Sequence, residues 1–205
     1  MRDLDKAIAD ILTIRSQLAA GTAFQGYGPG AVAATGLVAL VAAMVQAWSL
    51  GGELPEAGSY FALWIAVAVI SDAIVGVEMV ARTRRVHSGL ADEMLRHAAE
   101  QMLPAGGVGA LLLVALWQFA PDTLWMLPGL WLILVGMGAF ASLRILPPSM
   151  ALGGAYYIVV GFIVLVLSAN ARTLSPWAMG VPFALGQFLV AFILHSASET
   201  RHAES

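Results

Sequence analysis

The chain has 205 residues, 60% of them hydrophobic and only 11% charged, with a net charge of −3 and no cysteine. Soluble domains carry roughly 25% charged residues, so a water-soluble globular class is excluded. The lack of thiols excludes disulfides, thiolate metal centres and cysteine nucleophiles, and no basic patch is large enough to track a nucleic-acid backbone. With a mean hydropathy of +0.82, the chain reads as an all-α integral membrane protein whose first partner is the lipid bilayer.

Residues 2–19 place Leu4, Ile8, Ile11 and Leu18 on one helical stripe, apart from Arg2, Asp3, Asp5, Lys6 and Asp10. Such an amphipathic helix is expected to lie along the headgroup layer or under the bundle. It lacks the short apolar core and small-residue site of a cleavable signal peptide, so none is expected. Hydropathy then predicts a single membrane domain of six spans, at about 30–50, 59–81, 104–120, 123–144, 150–169 and 176–195. The first span follows "GYGPG" (26–30), which lacks the Lys-Ser/Thr of a phosphate loop. That span carries Ala31, Thr35, Ala39, Ala43 and Ala47 at every fourth position, a small-residue stripe that lets another helix approach closely. Between spans two and three, residues 86–102 form a second amphipathic pattern through Val86, Leu90, Met94, Ala98 and Met102.

Nine of the ten Lys and Arg fall on one alternating set of span ends, and only Arg172 falls on the other. The positive-inside rule therefore predicts that both termini are cytoplasmic, in a bacterial-type inner or plasma membrane. Trp48, Trp64, Trp117, Trp125 and Trp177 lie near the opposite ends, where an interfacial aromatic belt is expected. Trp131 is about two turns deeper.

Seven prolines, Pro29, Pro55, Pro104, Pro121, Pro147, Pro148 and Pro176, precede or open the spans, as suits a residue without an N–H at a helix's first turn. With glycine-rich starts at 26–30, 104–109 and 151–157, the chain reads as three helical hairpins related by a weak repeat. Pro128 and Pro182 each lie about two turns into an even span. Paired interruptions of this kind point to a transporter site. Equally, each helix could simply start later.

Two acids lie in the second span. Glu78 is four residues before Arg82, so Glu78, Arg82 and Arg85, with Arg144 at the end of the fourth span, are expected to form a cytoplasmic charge anchor. Asp72 is ten residues before Arg82, about 15 Å of helix, and falls near the bilayer centre. A charge there costs at least about 2.5–3.5 kcal/mol, which makes Asp72 a functional candidate. Its neighbours at four-residue spacing are Ala68 and Gly76, and its candidate polar partners are Gln187, Ser142, Tyr156, Tyr157 and Thr35. A mid-membrane acid that can take up a proton suits coupled transport. An Asp that serves only as an interhelical hydrogen-bond donor fits the sequence equally well.

His87, His97, His195 and His202 all fall on the cytoplasmic side, and no two have the i, i+4 spacing of a helical metal pair. Neither metal nor cofactor is expected, and no recognisable catalytic constellation marks an enzyme. In length and in its hairpin layout the chain resembles the acetate-uptake permeases and the amidase-linked urea/amide channels. Its first span opens on "YGPGAVAATG", where the acetate family has an Asn-Pro-rich start. The resemblance implies a small-solute permease or channel. Its pathway would run along spans two, four and six past Asp72, Gln187, Trp131, Pro128 and Pro182. The other expectation is a non-transporting regulator or anchor that holds a cytoplasmic protein through its amphipathic helices. A homo-oligomer is compatible with both.

Overall fold

Hydrocarbon offers no hydrogen bonds to a peptide group, so a membrane chain of this composition satisfies its backbone within each segment, as a helix. The computed structural model describes residues 28–51, 53–86, 91–144 and 148–203, and among them there is helix, turn and loop but no strand. The helices are α1 (Pro29–Ser49), α2 (Ala57–Val86), α3 (Ala91–Phe119), α4 (Leu127–Ala141), α5 (Met150–Ala171) and α6 (Pro176–Ala203). Short 3-10 turns, Pro121–Met126 and Ser142–Arg144, flank α4. Five segments are long and apolar enough to cross a membrane: Pro29–Ser49, Ala57–Ala81, Pro121–Ala141, Met150–Ala171 and Pro176–Ser198. A shorter apolar stretch, Pro104–Phe119, makes the sixth. The chain is an integral membrane protein.

The structure corrects the helix pattern at 86–102 and, of the two readings of Pro128, gives the later helix start. The pattern at 86–102 is not a separate helix: its described part, from Ala91, runs unbroken into the third span with Pro104 inside. Proline's missing N–H falls there where the helix passes from a polar to an apolar segment, a level at which water can replace the lost bond. In the fourth span Pro128 does not break a helix. A 3-10 turn carries the chain from Pro121 to Met126, and Pro128 sits in the first turn of α4, where its missing N–H costs nothing. Conversely, α6 begins at Pro176 and passes through Pro182 without interruption. The amphipathic pattern at 2–19 lies outside the described residues.

Each helix packs against its sequence neighbours, and α1 runs along α6 to close the ring of six. The two most extensive pairings are α1 with α6 and α4 with α5. Glycine explains both. A methyl group on Gly129 would come within 2.8 Å of the Gly161 carbonyl oxygen, and one on Gly161 within 2.7 Å of that of Gly129. Seven residues along, Gly136 and Gly154 repeat the contact, at 2.7 Å and 3.2 Å. Between α1 and α6, a methyl on Gly36 would meet the Ala184 carbonyl at 3.2 Å, and one on Gly180 the Ala39 carbonyl at 3.3 Å. Thr35, Ala39 and Ala43 of the small-residue stripe are buried here. Backbones approach this closely only where no side chain intervenes, and in lipid such packing supplies the association energy.

At the end opposite the basic residues, the gap between α2, α3 and α4 is filled by aromatic rings. Phe61 meets Trp117 and Trp131 edge-on, at centroid distances of 6.3 and 5.7 Å. Tyr60 is buried beside them and donates to the Ser175 carbonyl at 3.2 Å. Trp64, expected in the interfacial belt, is buried in this cluster instead, whereas Trp48, Trp117 and Trp177 are exposed. At the basic end α2, α3 and α6 outrun the apolar layer, with 30, 29 and 28 residues against 21 and 22 for α1 and α5.

Gly161→Leu should separate α4 from α5 and destabilise the detergent-solubilised protein by about 1–3 kcal/mol. Gly106→Ala, at a glycine where an added methyl would have nothing within 4 Å, should leave the thermal aggregation midpoint unchanged.

Candidate functional site

Asp72 lies halfway along α2 and is exposed on the outside of the bundle. Its backbone neighbour Ser71 is buried, and the Ser71 hydroxyl has no hydrogen-bond partner. Ile65, Ala68 and Val69 are exposed on the turns before it, and Gly76 is half-buried on the turn after. Among the described residues Asp72 is the one exposed polar side chain at mid-span. Ser49, Ser59, Gln118, Asn170 and Arg172 are exposed at the far end, and Glu100 and His195 at the basic end. A carboxyl group turned toward hydrocarbon carries the full cost of a polar group in lipid, about 2.5–3.5 kcal/mol or more when charged.

Several other mid-membrane polar residues turn inward and bond to backbone carbonyls. Tyr157, fully buried on α5, donates to the Phe183 carbonyl of α6 at 3.0 Å and shares a side-chain hydrogen bond with Gln187. Tyr156 donates to the Pro182 carbonyl at 3.1 Å. Gly186 lies under the Tyr157 ring, where any side chain would collide with it, and the Gln187 Cβ lies against Gly36 of α1. The two tyrosines therefore fasten α5 to the stretch of α6 that carries Pro182 and Gln187. Hydrogen bonding reaches this part of a proline-containing helix through carbonyls, which can accept a second donor. Thr35 bonds its own helix at Val32, and Ser142 bonds Gly138.

Trp131 and Pro128 belong to another part of the bundle. The Trp131 Nε1 donates to the Gly109 carbonyl of α3 at 3.1 Å. Pro128 is fully buried, and the adjacent Gly129 faces Leu165 and Gly161 of α5. Gln187 and Pro182 lie on one helix, α6, Trp131 is set against α3, and Asp72 stands apart from all of them on the outside of the bundle. Two open grooves mark the surface. One lies between α1 and α2, lined by Gly30, Ala31, Ala73, Ile74, Val77 and Glu78. The other lies between α2 and α3, around Phe61, Ile65, Leu113 and Trp117. Neither reaches Gln187, Pro128 or Pro182.

Glu78 reaches across to α1. Its Oε1 would lie 2.6 Å from a methyl group on Gly28, the residue that caps the amino end of that helix. A carboxylate there meets the unpaired N–H groups and positive dipole end of a helix. The contact was not legible in the sequence, where Arg82 and Arg85 are the nearer partners. The side chains of Arg82, Arg85 and Arg144 lie outside the described residues. Two further buried polar atoms without a partner, Gln46 Oε1 and Trp64 Nε1, are in α1 and α2. Among the described residues no three His, Asp or Glu side chains come together as a metal site. Compared with known proteins, the chain matches no family model, no curated protein and no solved structure.

Tyr157→Phe removes one bond to a carbonyl and leaves the Gln187 amide short of a partner. It should lower stability in detergent by about 1–2 kcal/mol, and Tyr156→Phe, at a half-buried site, by less. Thermal unfolding followed by tryptophan fluorescence reads both.

Proposed function

We propose that the chain is a non-transporting membrane anchor or regulator that holds a cytoplasmic protein partner against the membrane. One observation carries this. On the basic end, α2, α3 and α6 continue as helices beyond their apolar segments, over 82–86, 91–103 and 199–203. The positive-inside rule puts that end, and with it both termini, in the cytoplasm of a bacterial-type inner membrane. By sequence these continuations hold Arg84, Arg85, Asp92, Glu93, Arg96, His97, Glu100 and Arg201, a mixed-charge composition suited to binding a protein. In the interior, by contrast, Tyr60, Trp131, Tyr156 and Tyr157 are bonded to backbone carbonyls of neighbouring segments.

A second reading keeps the chain as a small-solute permease or channel, with Asp72 coupling it to protons. Asp72 at mid-span is the observation that favours it, together with Gln187 and the carbonyls around Pro182 as solute contacts. One experiment separates the two. A photoreactive side chain at position 100, in native membranes, should give one protein adduct, and Glu93→Lys with Arg96→Glu should reduce it at least fivefold. Proteoliposomes of the same protein should pass acetate, formate, urea and acetamide no faster than protein-free liposomes. Flux above that level that falls at least tenfold in Asp72→Asn would establish the permease and overturn the anchor.

A further inference from the structure

We infer that the Asp72 face of α2 is the contact between two copies of this chain, related by a two-fold axis along the membrane normal that brings their Asp72 carboxyls together. The exposure of Asp72 is the starting point: the one exposed mid-span polar group of the described residues faces a solvent that cannot hydrogen-bond it. Its partner must come from another polypeptide at the same depth. Copies inserted in the same orientation present their residues at equal depths. The other residues exposed at mid-span are apolar, among them Val41 of α1, Leu111 of α3, Val159 of α5 and Leu185 of α6. On a second copy, the exposed polar group available to Asp72 is therefore Asp72.

Chemistry and shape fit that pairing. A protonated carboxyl both donates and accepts, so two carboxyls on a two-fold axis complete each other with one or two shared protons, as an isologous contact requires. An aspartate side chain is short, and two can meet only if the helix backbones come close. Ala68 and Gly76, one turn to either side, provide that approach. Ile65 and Val69, exposed on the same face, meet their own counterparts at equal depth on the second copy. The pairing is independent of what the cytoplasmic continuations do.

The chain has no cysteine, so single cysteines report on single positions. In oxidised native membranes Ala68→Cys, Val69→Cys and Gly76→Cys should give disulfide-linked dimers at least fivefold above Leu111→Cys and Val159→Cys. In detergent, Asp72→Ala should weaken dimerisation about tenfold, the scale of an interhelical polar contact in a membrane, and Asp72→Asn, which also donates and accepts, should restore most of it. Cross-linking that is absent, that is strongest at 111 or 159, or that joins Ala68→Cys to a different protein would overturn the proposal. So would a dimer unchanged by Asp72→Ala.

Discussion

Four glycines hold α4 against α5. Gly129 meets Gly161 and Gly136 meets Gly154, each pair with backbone against backbone, and the two levels are seven residues apart on both helices. Lipid tails are as apolar as leucine, so burying side chains gives two membrane helices little reason to associate. Close packing and weak Cα–H···O contacts supply it instead. Pro128 lies in the first turn of this helix, one residue before the first of these contacts. The α1–α6 pair repeats the principle with Gly36, Ala39, Ala43 and Gly180, and it closes the ring.

With the two tight pairs set, the rest of the interior is determined by what fills the spaces between them. Tyr156 and Tyr157 bond α5 to α6, Trp131 bonds α4 to α3, and Tyr60 ties α2 to the loop before α6. Each uses a backbone carbonyl as acceptor. Gln187 shares a hydrogen bond with the Tyr157 side chain at the same junction. Asp72, which faces away from the bundle, and the helix ends that extend past the apolar segments on the basic side stand apart from these contacts.

Much of the fold was legible in the sequence because the bilayer sets a length scale. Apolar runs of about 20 residues, bounded by proline and arginine, marked the spans to within a few residues. The stripe from Ala31 to Ala47 on the first span correctly marked a packing face, since small residues at four-residue spacing do little else. The glycines of α4 and α5 were not legible as a pair, because a single sequence gives no sign of which helix faces which. For the same reason the direction of Asp72 was hidden: its depth follows from counting residues, and its azimuth depends on neighbouring helices. Glu78 shows the limit from the other side. Arg82 at i+4 is its obvious local partner, whereas the contact with Gly28 spans 50 positions of sequence and appears only once α1 and α2 are placed together.

The closed interior is the claim on which these conclusions rest, and amide hydrogen exchange of the reconstituted protein tests it most directly. With backbones in contact and tyrosines bonded across α5 and α6, peptides covering 129–136, 154–161 and 178–187 should remain protonated for hours in deuterated buffer. They should exchange more slowly than the helix continuation at 91–103. Rapid exchange along 178–187, on the face of α6 that holds Pro182 and Gln187, would show water inside the bundle and contradict the account.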